Sequence, residues 1–516
     1  MLLALVASAS HARAQVNRDV KTQYPVTDPK YASAVVARIG DLKITSQQFL
    51  ISYEFGPAFV KRQKDSKRRF LEFMIYEKLL ALDAYSRGVE SSTRVAEALA
   101  EIEGDLATEE LYKDDILSKV TVSEREIDNT IRRQQSHISL QWLYAATKEQ
   151  MQRYNGLLHV GVAFDSLFAL QVKDSVTRDD RSLETTRFKL EQTNPDLARV
   201  VDTLNAARTS APVKGPDGWY IIKIVDGWRD VLPTESAEMK LRDDAQRAVV
   251  KQKSDSLSDQ YIRRMMLEQD PVIVRTTFDV VQAYVGKKFL SRKVYHELNN
   301  AKVIDVANIE QHERNPLVRL KQGDITLKDF LAWFRAREAY MHPVTSSPQS
   351  FFVWFQQMVW RMIRDRLLVE RAHVRQLEKR EIVQSQKKWW EEKILYEIEK
   401  SSIADSINTD DLTLQKFYHD HEQHYRSAEG APVPFERVRE EVQKDFFSSE
   451  LTKRLFHRIL TLKKKYDVEI REEILRDLPV DAENQPRAID VYAVKKGGTF
   501  PRPAFPTIDY QWQAWN

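Results

Sequence analysis

Apolar positions along the chain follow two periods that recur in a fixed order. Around Val35-Val36-Ala37-Arg38-Ile39-Gly40-Asp41-Leu42-Lys43-Ile44-Thr45 they alternate on either side of a Gly-Asp pair, which predicts a small β-hairpin. Thr45 or Ser46 then caps a helix that carries Phe49 and Leu50. The second half repeats the motif in Gly323-Asp324-Ile325-Thr326-Leu327-Lys328-Asp329-Phe330-Leu331, with Ile325 standing 281 positions after Ile44. A longer helical pattern follows each hairpin. Met74-Ile75-Tyr76-Glu77-Lys78-Leu79-Leu80 is matched, 288 positions on, by Met362-Ile363-Arg364-Asp365-Arg366-Leu367-Leu368. More helical sequence and a capped helix come next in both halves. Ser123 with Glu126 fits a capping box, and Thr409 precedes Asp410-Asp411, whose charges suit a helix N-terminus.

The third correspondence shifts. Pro434-Phe435 opens a long amphipathic stretch that ends in the strand pattern Tyr466-Asp467-Val468-Glu469-Ile470. In the first half a helical stretch from about Glu238 to Glu268 leads to Pro271-Val272-Ile273-Val274. Matching Val274 to Ile470 gives a spacing of 196, which is 92 less than that between Met74 and Met362. The first copy therefore holds about that many extra residues between Ser123 and Glu238, a small domain's worth.

Those extra residues have a different texture. Leu140-Gln141-Trp142-Leu143-Tyr144-Ala145-Ala146 reads as a strand, followed by a helix around Lys148–Leu158 and then Gly161-Val162-Ala163-Phe164-Asp165-Ser166-Leu167-Phe168-Ala169. Ala211-Pro212-Val213-Lys214 and Gly218-Trp219-Tyr220-Ile221-Ile222-Lys223-Ile224 read as two strands joined by a Gly-Pro-Asp-Gly turn. Strands with helices between them make a compact α+β unit.

The G-x-x-F-x-x-L-x-A pattern at Gly161 and the closing P-V-x…G-W-x-I-I-K-I pattern resemble parvulin-type peptidyl-prolyl isomerase domains. The flanking residues Leu71, Met74, Ile75, Glu77, Lys78, Leu79, Leu80, Ala84 and Gly88 resemble the chaperone core of SurA, PpiD and related periplasmic foldases. The resemblance covers most of residues 32–275, and more faintly 312–476. It implies a helical cradle for unfolded outer-membrane polypeptides with an isomerase domain attached. Family parvulins carry two inward-facing histidines and a Met/Phe-lined proline pocket. Where the first histidine opens the first strand this chain has Gln141 or Trp142, and where the second precedes Ile-Ile-Lys it has Tyr220. Thr193 and Leu197 stand at the usual Met and Phe positions. No catalytic residue is therefore expected, and Trp142, Phe164, Leu197, Trp219 and Tyr220 become the expected peptide-binding set. A shift of register would bring the nearby His137 to the strand.

Composition narrows the rest. With 42% hydrophobic and 30% charged residues, and only 14 glycines and 18 prolines in 516 positions, a mainly helical chain is expected. The net charge of +3 lacks the basic excess of a general nucleic-acid binder. The absence of cysteine rules out disulfides, a lipidated cysteine anchor and thiolate zinc sites. Met1–Ala7 is an apolar run followed by Ala12-Arg13-Ala14, a small-x-small triplet that predicts signal-peptide cleavage before Gln15. The aromatic run Phe351–Trp360 reads as a buried helix, or else as a groove for aromatic-rich clients. His419, His421 and His424 read as a solvated helix face rather than a zinc site. The tail from Asp481 to Asn516, rich in proline and aromatics, is either an arm packed on the body or a partner-binding segment.

The expected architecture is mainly α and multidomain, with two related SurA-type cores and an inserted α+β parvulin-like domain. A signal peptide (1–14) precedes a first core (32–128), the parvulin-like domain (137–232) and a helix and strand completing the first core (233–275). A second core (312–430), its C-terminal helix and strand (431–476) and the tail (477–516) follow. The expected function is that of a periplasmic holdase for unfolded secreted or outer-membrane precursors, with no cofactor, no metal, no nucleic acid and no membrane span. An active prolyl isomerase and an envelope-complex adaptor are the alternatives.

Overall fold

The computed structural model describes residues 34–515, apart from 62–64, 173–175, 205–207, 231–233, 300–305, 307, 429, 479 and 481–497. The expected signal peptide and the first part of the tail lie outside the described residues. The protein is mainly helical, and it divides into two compact units. Lys119–Ser256 forms one, and the described residues before and after it form the other.

In the larger unit, β1 (Val35–Ile39) and β2 (Leu42–Thr45) make the expected hairpin, turning at Gly40 with φ +51°. Thr45 caps the helix Ser46–Phe55: its Oγ1 accepts the Gln48 N–H at 3.2 Å while Gln48 Oε1 accepts the Thr45 N–H at 3.2 Å. The second hairpin, β8 (Pro316–Arg319) and β9 (Ile325–Thr326), ends the same way. Thr326 caps the helix Leu327–Arg337, and Asp329 reaches back to the Thr326 N–H at 2.9 Å. The long helices also correspond. Ser66–Ser86 and Thr93–Asp115 are repeated by Pro348–Val374 and Glu381–Asp405. Each pair is joined through a left-handed residue, Gly88 at φ +69° and Gln376 at φ +57°. The repeat thus extends to backbone conformation, even where the second copy places a side chain in a region that glycine adopts without steric cost.

The closing strands do not go where the repeat alone would put them. The sequence reading has residues 233–275 completing the first core. In the structure β7 (Val272–Ile273) pairs with β8, Val272 opposite Arg319 and Ile273 opposite Val318. In turn β10 (Val468–Ile470) pairs with β1, Ala37 opposite Ile470 and Ile39 opposite Val468. The sheets are β10-β1-β2 and β7-β8-β9, each a hairpin from one half completed by a strand from the other.

The helices interlock in the same sense. Ser66–Ser86 packs on Glu381–Asp405, and Thr93–Asp115 packs on Pro348–Val374. At the second crossing Gly104 leaves room for Val369, whose Cγ1 would sit 3.1 Å from an added Cβ. One core joins Phe49, Phe70 and Leu79 to Leu451, Leu455 and Ile459; the other joins Phe278 and Val281 to Phe330, Phe351 and Phe355. Each hairpin is thus completed by a strand from the other half, and the long helices of the two halves pack on one another. Both hairpins offer equivalent edges, so the packing of the long helices decides which strand each one receives. The aromatic run lies within a helix: Phe351, Phe355, Met358 and Val359 are buried, whereas Val353 is half exposed.

The smaller unit holds a four-stranded antiparallel sheet in the order β4-β3-β6-β5, from β3 (Ser136–Ala145), β4 (Ser182–Thr186), β5 (Val213–Lys214) and β6 (Trp219–Arg229). Alternation along β3 sends Ile138, Leu140 and Trp142 to one face and Leu143 and Ala145 to the other. The first face packs with Leu190, Leu197, Ala198 and Val201 from the helices Arg187–Thr193 and Pro195–Asp202. The second packs with Met151, Phe164, Leu167 and Phe168 from Lys148–His159 and Phe164–Gln171. The helix Glu124–Gln135 is capped by Ser123 and Glu126 as expected, and Lys253 Nζ stands 2.6 Å from Glu126 Oε1.

Candidate peptide-binding face

The sheet face that carries Trp142 is built by cross-strand pairing. Register places Trp142 opposite Ile222 and Tyr144 opposite Tyr220. The two tyrosine rings meet edge-on, with centroids 5.3 Å apart and planes at 60°. Both hydroxyls turn to the same residue of the turn before β6: Tyr220 donates to Asp217 Oδ1 at 2.5 Å, and Tyr144 donates to the Asp217 carbonyl at 2.8 Å. The glycines of the Gly-Pro-Asp-Gly turn are needed for this. A Cβ on Gly215 would lie 2.5 Å from the Tyr220 ring, and one on Gly218 would lie 2.5 Å from the Tyr144 ring. The Arg181 guanidinium covers the Tyr144 ring at 4.7 Å.

The surroundings keep the Tyr220 phenol neutral. Burial, then the hydrogen bond and charge of Asp217, push the Tyr220 phenol up to about 12. Tyr220 therefore stays protonated through the physiological range and acts as a donor. His137 is not part of the cluster. It sits opposite Trp228 and Thr186 at the other end of β3, five residues before Trp142 or about 17 Å along an extended strand. There its ring stacks on Trp228 at 5.2 Å, and Nε2 meets Asp230 Oδ2 at 2.8 Å.

Of the expected peptide-binding set, Trp142, Leu197 and Tyr220 come together around Ile222 and Val213. Phe164 and Trp219 are on the opposite face, with Leu143 and Ala145. There Lys223 lies 5.3 Å from the Phe164 ring and pairs with Asp165 at 2.8 Å, and Lys148 lies 5.7 Å from Trp219. Thr193 is exposed, and its hydroxyl donates to the Lys189 carbonyl of its own helix at 2.9 Å. Gln141 is buried between Ser182 and Lys223 on the neighbouring strands. The sequence reading did not single out Tyr144, Asp217 or Arg181; only the strand register brings them to Tyr220. Among the described residues no group of three or more His, Asp or Glu side chains is placed to hold a metal ion. His421 instead stacks on Phe417 at 4.1 Å.

No family model matches the chain, and no curated protein matches it. Among solved structures the chain is similar to several named PrsA. The peptidylprolyl isomerase PrsA of Bacillus anthracis is 16% identical over 30% of this chain and 70% of that one, with a TM-score of 0.21. PrsA of Bacillus subtilis is 17% identical over 44% of this chain and 92% of that one, with a TM-score of 0.17. The foldase protein PrsA of Streptococcus pneumoniae is 14% identical over 53% and 97%, with a TM-score of 0.21. Likeness at this level carries no functional weight, which falls on the chain's own residues.

Proposed function

We propose that this chain is an ATP-independent chaperone that holds unfolded polypeptides, and that its small α+β unit binds segments of them without turning proline bonds. The observation that carries this reading is the Trp142, Tyr144, Tyr220 and Leu197 face, where the resembled family has its paired histidines. Rotation about an X-Pro bond faces a barrier of about 18–20 kcal/mol set by amide resonance. A catalyst must bind the twisted amide better than the planar one. Two phenols committed to Asp217 and an aromatic wall offer apolar contact to a flat or extended segment, but no polar floor that favours the twisted form. Aromatic rings with a polar tip suit weak contact with many sequences.

The apolar N-terminal run with Ala12-Arg13-Ala14 supports export, with secreted or outer-membrane precursors as clients and the periplasm as the place of action. No described helix is long and apolar enough to cross a membrane. The test is suppression of aggregation of an unfolded outer-membrane barrel protein by the chain and by a Trp142→Ala/Tyr144→Ala variant. Suppression that is weakened several-fold in the variant supports the reading. An unchanged effect removes the face from it.

A further inference from the structure

The described end of the chain, from residue 498, has little regular structure beyond the short helical turn Tyr510–Trp515, yet the larger unit grips it as a receptor grips a peptide. Trp512 is wholly buried. Its ring stacks on Phe73 at 6.0 Å and 9°, and meets Tyr76 edge-on at 5.7 Å. The indole N–H donates to Glu77 Oε1 at 3.1 Å, and the same oxygen accepts the backbone N–H of Asp509 at 2.7 Å. Tyr396 and Lys400, from the helix Glu381–Asp405, both bind the Asp509 carboxylate. Phe505 rests on Trp389 at 6.1 Å. Further back, the fully buried Asp105 accepts the backbone N–H groups of Thr499 and Phe500 at 2.5 and 2.7 Å and pairs with Arg502 at 2.7 Å.

Two kinds of feature meet this segment: apolar cups that take aromatic rings, and carboxylates that read main-chain N–H groups. The second kind is indifferent to sequence, as a receptor for many segments requires. The groove also runs past its occupant. A cleft lies between Gln48, Ile51, Trp389 and Phe505, and a gap of about the size of a water between Met74, Glu392 and residues 506–508. The tail forms a wall of both.

We propose that the groove along the helices Ser66–Ser86, Thr93–Asp115 and Glu381–Asp405 is a binding site for extended, proline- and aromatic-rich polypeptide, and that residues 499–515 are its resident, displaceable occupant. The proposal rests on the chaperone reading and gives it a second site, in the helical unit. A covalently tethered occupant competes at a high effective concentration, so the intact chain binds such segments more weakly than the emptied groove does.

The test uses a fluorescein-labelled peptide with the sequence of residues 498–515, the full chain, and a chain ending at residue 497. The expected result is at least tenfold tighter binding to the shortened chain than to the full chain, and at least a tenfold loss when Glu77→Gln is added to the shortened chain. A shortened chain that melts cooperatively with full helical signal, yet binds the peptide no better than the full chain, overturns the proposal. Should the shortened chain not fold, a protease site inserted after residue 497 allows the folded chain to be nicked. Excess labelled peptide is then expected to replace the nicked segment with the helical signal unchanged. Release only on unfolding shows a structural plug and overturns the proposal. Peptide exchange is read without any client, so the two ideas fail separately. Exchange without aggregation suppression contradicts the chaperone reading and supports the groove; suppression without exchange contradicts the groove alone.

Discussion

Ala37 lies directly opposite Ile470, so a strand near the start of the described chain is completed by one more than four hundred residues later. Ala37 is fully buried, and β1 is the central strand of its sheet. Proline there removes a ladder donor from a central strand, where it is not tolerated. Ala37→Pro is expected to abolish amide-exchange protection at residues 468–470 as well as 42–45, measured by hydrogen exchange with mass spectrometry. Retained protection at 468–470 would show that the exchanged pairing is absent in solution.

The aromatic run distinguishes burial from display. Phe355 is fully buried and packs edge-on against Phe278 at 4.9 Å, while Val353, two residues away, is 50% exposed. Phe355→Ala is expected to cost about 3–5 kcal/mol in denaturant unfolding. Val353→Ala should stay within about 0.5 kcal/mol of the parent. Similar small losses for both would place the run on the surface.

Much of this was legible in local pattern. Ser123 and Glu126 announced their capping box, Thr45 or Ser46 the start of the first helix, and the 281- and 288-residue spacings the matching helices. The spacing of 196 located β7 and β10 as well, but not their partners. A strand pattern specifies which side chains face inward, whereas two equivalent hairpin edges compete for each strand on equal local terms. Long-range helix packing breaks that tie, and it has no signature within a short window. At the candidate site the same limit applied to Tyr144. Its role depends on register against Tyr220; alternation separates Trp219 from the adjacent Tyr220, whereas Phe164 lies on a helix and only packing sets its face.

Glu126 gives the smaller unit an acid-sensitive clasp. The Lys253 ammonium, then the Ser123 backbone N–H, hold its carboxyl down to about 2 from an ordinary 4.5. A depressed carboxylate contributes stability that is fully present above its unfolded value and fades as pH falls toward the folded one. The stability difference between the parent and Glu126→Gln is therefore expected to be constant above pH 5 and to vanish between about pH 4.5 and pH 2, followed by urea unfolding at each pH. A difference that persists at pH 2 would assign the effect to side-chain shape rather than charge.

The Gly-Pro-Asp-Gly turn should tolerate no side chain at its last position. An added Cβ on Gly218 meets the Tyr144 ring at 2.5 Å and the Ala145 carbonyl at 2.6 Å, and the carbonyl belongs to a paired strand that cannot yield. Gly218→Ala is expected to cost about 1–3 kcal/mol and to displace the Tyr144 ring from Tyr220, seen as altered tyrosine ring shifts by NMR. Unchanged shifts would contradict the described packing.

The most direct test of the central claim is a protease-coupled measurement of X-Pro isomerisation in a short peptide, made on the same preparation that is assayed for aggregation suppression. An isomerisation rate equal to the uncatalysed background is expected, alongside clear suppression by the same protein. Acceleration well above background that is lost on Tyr220→Phe would contradict that claim, and would show that the phenol beside Asp217 supplies the polar floor assigned here to binding alone.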